Sequence, residues 1–198
     1  MLSVNDFSKA IRATLILWLI TAIIYPLFIL IFGQIFLPYQ ANGSLIKDNQ
    51  NNIIGSSLIG QSFQSDRYFW SRPSVINYST GEDGGETGVS GASNLAPSNP
   101  DLVKNIEAEI TKLKQVGITP TADLVYTSGS GLDPHISIQS AQNQIERIAI
   151  ARNLTPTQLQ QLIQKNTEGR FLGIFGEPRI NTLKLNLELD EFSKEIGY

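Results

Sequence analysis

The residue types best able to do chemistry crowd into Thr127–Ser137, TSGSGLDPHIS, where serines, an aspartate and the single histidine of the chain, His135, fall within a few positions. Acyl transfer would need a serine, a base and an orienting carboxylate. A nucleophile elbow reads Gly-x-Ser-x-Gly, however, and the residue two before Ser130 is Ser128. Triad members also usually come from distant segments, because adjacent side chains rarely point at one another in the order required. The stretch therefore reads as a turn in which glycines supply unusual backbone angles and Asp133-Pro134 leads toward a helix capped by Ser137. As a phosphate site, Ser128, Gly129, Ser130 and Gly131 with Asp133 and His135 are the only plausible group. There is no Gly-x-x-x-x-Gly-Lys loop, and GSGLDP lacks the third glycine of a dinucleotide fingerprint. With no cysteine and one histidine, a zinc site would have to rely on carboxylates, and GEDGGETG carries Glu82, Asp83 and Glu86 without the spacing of a calcium loop. No bound cofactor and no metal are expected.

Two other clusters carry recognition rather than reaction. Tyr68, Phe69 and Trp70 sit beside Arg67 and Arg72. They read either as core with arginine on the rim or as a protein-protein anchor, since tryptophan, tyrosine and arginine are enriched at binding hot spots. Glu168 with Arg170, and Glu177 with Arg179, are structural ion pairs or contacts to a partner.

These groups need elements to hold them. ANGSLI and NNIIGSSLIGQSF read as short turn-flanked strands, and Asn77–Asn99 is a long loop rich in Gly, Ser, Asn and Pro. Asn99, Pro100 and Asp101 announce a helix with Val103, Ile106, Ile110 and Leu113 on one face, closed by Gly117. A second helix is expected over Ser137–Arg152, with Ala141, Ile145, Ile148 and Ala149 inward. A third opens at Thr155 with a capping box to Gln158 and buries Leu159, Leu162 and Ile163. In RINTLKLNLELD, Leu183, Leu185, Leu187 and Leu189 alternate with polar residues, which predicts a strand pairing with RFLGIF across Gly176-Glu177-Pro178. Strands at both ends with helices between them make a small α+β domain.

The run from Ala13 to Phe32 has no charged residue. A helix of about twenty such residues rises about 30 Å, the hydrocarbon thickness of a bilayer. Only Thr14 and Thr21 interrupt it, at a spacing that makes no polar face, which disfavours a buried soluble helix. The block is longer than a signal-peptide core and no small-x-small cleavage site follows it, so it reads as an uncleaved anchor. Pro26 predicts a kink and a packing partner at that depth. Lys9 and Arg12 precede the run and place the N-terminus in the cytoplasm. The expected organisation is a short cytoplasmic segment over 1–12, a transmembrane helix over 13–37 and one extracytoplasmic α+β domain over 38–198. A net charge of −3 with no basic block argues against nucleic acid.

Taken in order, several blocks carry a resemblance: Tyr25-Pro26 in the anchor, GQIFLPYQANGS, GSSLIGQSF, YFWSRPS, GASNLAPSNP, SGSGLDPHIS and TEGRFLGIFGEPRINTLKLNLELD. The chain resembles the C subunit of the bacterial Kdp potassium-transporting P-type ATPase along nearly its whole length. It departs from that pattern in an expanded acidic, glycine-rich loop over 77–89 and in Asn166, where a histidine often precedes Thr-Glu-Gly-Arg. The resemblance implies a non-catalytic accessory subunit of the bacterial inner membrane. Its implied partners are a channel-like subunit that carries potassium and a P-type subunit that hydrolyses ATP. It also implies one of two roles, assembly and stabilisation of the complex or a catalytic chaperone that raises ATP affinity. An outward-facing domain is separated from ATP, so assembly is the preferred expectation. ATP would then act through the complex, and the interface would draw on Pro26, Tyr68, Phe69, Trp70, Arg72, Glu168 and Arg170.

Overall fold

The computed structural model describes residues 4–48, 50–80 and 88–195. The acidic stretch at 81–87, with Glu82, Asp83 and Glu86, lies outside the described residues. The contacts divide the chain into two units between Ile54 and Gly55.

The first unit is dominated by one continuous helical rod, Val4–Phe36, of 33 residues. It comprises α1 (Val4–Leu19), a π-helical turn (Ile20–Ile24) and α2 (Tyr25–Phe36). The π turn sits immediately before Pro26, and the proline explains it. Proline offers no N–H and its ring crowds the carbonyl one turn earlier, so the helix widens locally instead of breaking. Thr21 closes its own hydroxyl by donating to the Leu17 carbonyl at 2.8 Å. None of the residues of the rod is buried within the chain. At about 1.5 Å per residue the rod is about 50 Å long, more than a hydrocarbon core requires. A short α3 (Pro38–Ala41) follows, then a two-stranded sheet of β1 (Leu45–Lys47) and β2 (Ile53–Ser56).

The second unit is α+β. Its sheet has the order β3-β5-β4, from β3 (His135–Ser137), β5 (Arg179–Asn181) and β4 (Thr167–Glu168), all antiparallel. Helices α4 (Pro100–Gln115), α5 (Ala122–Val125), α6 (Ile138–Gln142), α7 (Ile145–Arg152), α8 (Pro156–Lys165) and α9 (Thr182–Glu195) complete it. The caps act as the sequence requires. Asn99 accepts from the Asp101 N–H, Ser137 from that of Ser140, and Thr155 and Gln158 form a reciprocal box. Gly117 takes φ +77°, and the Ile118 N–H reaches back to the Leu113 carbonyl, ending α4. The core gathers Phe69, Ile118, Ile136, Ile148, Leu159, Ile163, Ile180, Leu185 and Leu189, each at most 2% exposed.

Four expectations are corrected. RINTLKLNLELD is a strand only over Arg179–Asn181 and continues as α9. The buried residues Thr182, Leu185, Asn186, Leu189 and Ser193 recur at three and four, which is a helix face. The leucine alternation coincides with that face over a few residues and misleads. Asn181 carries the true signal, because its side chain accepts from the Lys184 N–H at 3.1 Å and starts the helix. The partner of β5 is β4, and RFLGIF is no strand but a tight turn closed by Phe171 N–H to the Phe175 carbonyl at 2.8 Å. The expected helix over Ser137–Arg152 is interrupted at Asn143 and Gln144, and Val103 in α4 is 50% exposed rather than inward.

The helical reading of α9 has a consequence at Asn186, a solvent position on a strand but 1% exposed here. Its side chain accepts from the Phe69 N–H at 2.8 Å and donates to the Phe69 carbonyl at 2.9 Å. Asn186→Leu strands both backbone groups in the core. We expect a loss of about 2–4 kcal/mol, read as a lowered denaturation midpoint of the full chain in detergent, whereas a strand would tolerate the change.

Candidate functional site

Four of the singled-out charges form one row. Arg72 Nη1 lies 3.0 Å from Asp133 Oδ2, and Asp133 Oδ1 lies 3.1 Å from His135 Nδ1. His135 Nε2 is 3.7 Å from Glu168 Oε2, and Glu168 is held by Arg179 and Lys184, each at 3.3 Å. The sheet explains the arrangement: β3 presents His135, β4 Glu168 and β5 Arg179, with Glu168 and Arg179 directly opposite in register. Antiparallel register also re-pairs the acids and bases. Glu168 goes with Arg179, and Arg170 with Glu177 at 2.8 Å, not the sequence neighbours. The hydrogen bond with His135, aided by the Arg72 charge, outweighs burial and holds the Asp133 carboxyl below its ordinary range. Burial alone would raise Glu168, but its bonds and charges from Lys184 and Arg179 prevail and lower it.

Ser128, Gly129, Ser130, Asp133 and His135 border one open depression of about 360 Å³, together with Leu58, Leu132 and Pro134. The Ser-Gly turn spends its serine hydroxyls on its own backbone. Ser128 Oγ accepts from the Gly131 N–H at 3.2 Å and Ser130 Oγ from that of Leu132 at 3.1 Å. The pairing of histidine with acid is real, but Ser130 is engaged in its own turn rather than drawn into it. An ionised Asp133 at the border of the depression opposes a phosphate.

Gly131 is required at its position. It has φ +69°, and a Cβ there would lie 2.5 Å from the Ile76 side chain and 2.7 Å from the Gly91 carbonyl. Ser74 clamps the same turn, donating to the Gly131 carbonyl at 2.8 Å while accepting from the N–H groups of Ile76 and Tyr78. Asn77, Tyr78 and Ser79 are all left-handed, at φ 45°, 56° and 58°. Such a run costs about 1–2 kcal/mol per residue and persists only where the surroundings fix it. Here the buried Tyr78 ring fills the space left by Gly60, whose Cβ would meet it at 2.4 Å, and its hydroxyl donates to the Arg72 carbonyl at 2.6 Å. Burial pushes the Tyr78 phenol up to about 12.

The aromatic cluster turns mostly inward. Phe69 has no exposed surface, so the core reading applies to it. Tyr68 donates to Asp190 at 3.0 Å beneath the Arg152 guanidinium, which lies 4.7 Å from its ring. Trp70 is covered by Arg147 at 4.3 Å. Along one side, Trp70 and Arg72 border a cleft of about 440 Å³ with Phe63, Tyr78, Lys112 and Leu113. Thus Arg72, Asp133, His135 and Glu168 come together, Arg170 stands apart with Glu177, and Pro26 belongs to the other unit.

Comparison with known proteins decides the family. Residues 7–191 match the family described as the K+-transporting ATPase, c chain. The chain belongs to the KdpC family. A potassium-transporting ATPase KdpC subunit from a Synechocystis species is 60% identical over 187 residues, covering 94% of this chain and 98% of that protein. Another from a Nostoc species is 56% identical over 94% of this chain and 96% of that protein, and one from Burkholderia orbicola is 46% identical over 88% and 90%.

In this KdpC chain the residues that organise the aromatic segment escaped the sequence reading. They are Gln144, in the break between α6 and α7, and Arg147, Arg152 and Asn186 at inward helix positions. Burial lowers the Arg147 guanidinium to about 10, with Asp66 opposing. The only signal was polarity where a helical period calls for an apolar residue. For the charged row, the sign of the pH effect is fixed. Asp133 and Glu168 are lowered on folding, so between their folded values and the ordinary carboxylate range the unfolded chain binds more protons. Stability is therefore present above that range and lost on acidification through it. Asp133→Asn should flatten the acid limb of a midpoint-versus-pH curve, and an unchanged limb would show that the row does not couple to folding.

Proposed function

We propose that this chain is a non-catalytic accessory subunit that assembles and stabilises an ATP-driven potassium uptake complex. The observation that carries the reading is a 33-residue helix, long and apolar enough to cross a membrane and with no buried residue, joined to a domain whose candidate site groups are paired in the charged row and the closed Ser-Gly turn. Such a helix finds its partners in lipid and in other helices. The π turn before Pro26 gives it an irregular, widened surface there for helix packing. In this reading the rod spans the bacterial inner membrane with Lys9 and Arg12 at the cytoplasmic end, and the α+β unit lies outside. The partners are the channel-like subunit and the P-type ATP-hydrolysing subunit, with the outer unit as a cap over the potassium entrance. ATP enters through the hydrolytic subunit and not through this chain, consistent with the acidic border of the Ser-Gly depression.

The test is purification through an affinity tag on this chain after detergent extraction. The other ATPase chains should follow in fixed ratio, and a complex prepared without it should lose potassium-stimulated ATPase activity at least tenfold. A fully active pump lacking this chain would overturn the proposal. Protease added to spheroplasts should remove the domain and leave the anchor, whereas protection would reverse the orientation.

A further inference from the structure

Between β4 and β5 the chain projects a knob. Phe171, Leu172, Ile174 and Phe175 are 71%, 74%, 71% and 62% exposed. The remaining large apolar residues from Phe69 onward are mostly covered. The knob is also built to one shape. Leu172 and Gly173 are left-handed at φ 53° and 75°, Phe171 and Phe175 exchange backbone bonds at 2.8 and 3.0 Å, and Gly173 N–H reaches the Arg170 carbonyl at 3.0 Å. At its neck Arg170 Nη2 grips both Glu177 oxygens, at 2.8 and 3.1 Å.

Resting on the assembly reading above, we propose that the Phe171–Phe175 knob docks into an uncharged, concave apolar socket on the extracytoplasmic surface of another chain of the same ATPase. Size and charge select this occupant over two others. At about 150–200 Å² for each large side chain, the exposed knob offers on the order of 500 Å². A free-standing complex needs about 800 Å² per partner, so the knob alone does not support a dimer with a second copy. It is sufficient where a further contact, here the anchor helix, already holds the two chains together. A bilayer surface would call for an unmatched basic collar and interfacial tryptophan or tyrosine. Here Arg170 is matched by Glu177, Arg179 and Lys184 share Glu168, and the knob has neither aromatic type. A preformed turn pays little ordering entropy on docking, which suits a socket of fixed shape.

The chain has no cysteine, so Leu172→Cys places one thiol on it, at the most exposed point of the knob. Its reaction with a water-soluble maleimide is compared between the full chain alone and the assembled complex in the same detergent. We expect reaction at least tenfold slower in the complex, and a photoreactive group at 172 to link this chain to another ATPase chain. Ile174→Cys serves as a second position should the left-handed site at 172 disturb the turn. Equal reactivity in both preparations, or adducts only to lipid or to a second copy, overturns the proposal while leaving assembly intact. Failure of the unaltered chain to co-purify with any ATPase chain overturns the assembly reading and this proposal with it.

Discussion

A segment without regular secondary structure that dips into the core must still pair its peptide groups, and the domain meets that demand around the buried Phe69, between the exposed Ser65–Arg67 turn and the half-buried Trp70. Every carbonyl from Ser65 to Trp70 accepts a side-chain donor. Trp70 Nε1 serves Ser65, Arg147 serves Asp66 and Tyr68, Arg152 serves Arg67, Asn186 serves Phe69, and Gln144 serves Trp70. Asn186 and Gln144 also take the N–H groups of Phe69 and Trp70, so each amide mimics one rung of a β-ladder. An unmade pair in the core would cost about 1–3 kcal/mol, which is large against the net stability of a domain. Apart from Trp70, the donors come from the α6–α7 region and from α9, so one irregular segment fixes how those helices sit around Phe69.

This arrangement explains which parts of the fold could be read from the chain and which could not. Helix ends were legible because their signals are local: Asn99-Pro100, Thr155 with Gln158 and Gly117 each satisfy groups within a few residues. The apolar rod was legible for the same reason, being a matter of length and charge. What failed depended on distant partners. Asn186 reads as a solvent residue until Phe69 arrives from 117 positions away to use it. With Asn186 assigned outward, the leucines at 183, 185, 187 and 189 look like one face of a strand. The interruption at Asn143 and Gln144 has the same origin, because Gln144 is committed to Trp70.

The candidate site divides along the same line. Arg72, Asp133, His135 and Glu168 were each visible as chemistry-bearing types, but their union was not, since three strands and a loop must be placed before it exists. Register decided the rest. Glu168 and Arg170, two apart, cannot form the natural pair of a hairpin; positions opposite one another can, and they do. The row is thereby closed on itself, with Arg72 facing Asp133, Arg179 and Lys184 facing Glu168, and the His135 ring between the two acids, and it holds the sheet edge to the loop that carries Arg72.

Two apolar segments then meet opposite fates, and the backbone says why. Phe69 and Trp70 lie outside any helix or strand, and their N–H and carbonyl groups, with the Tyr68 carbonyl, are taken by side chains from elsewhere in the domain. Phe171–Phe175 is a tight turn whose N–H and carbonyl groups close on one another, so it asks nothing of the rest of the domain. Apolar side chains on a self-satisfied turn can remain outside without any unpaired polar group forcing the chain to cover them. The hydrophobic cost of that exposure, about 25 cal/mol for each Å², is the reason such a turn is normally trimmed to polar residues. Keeping two phenylalanines, a leucine and an isoleucine there retains an apolar surface left uncovered among the described residues.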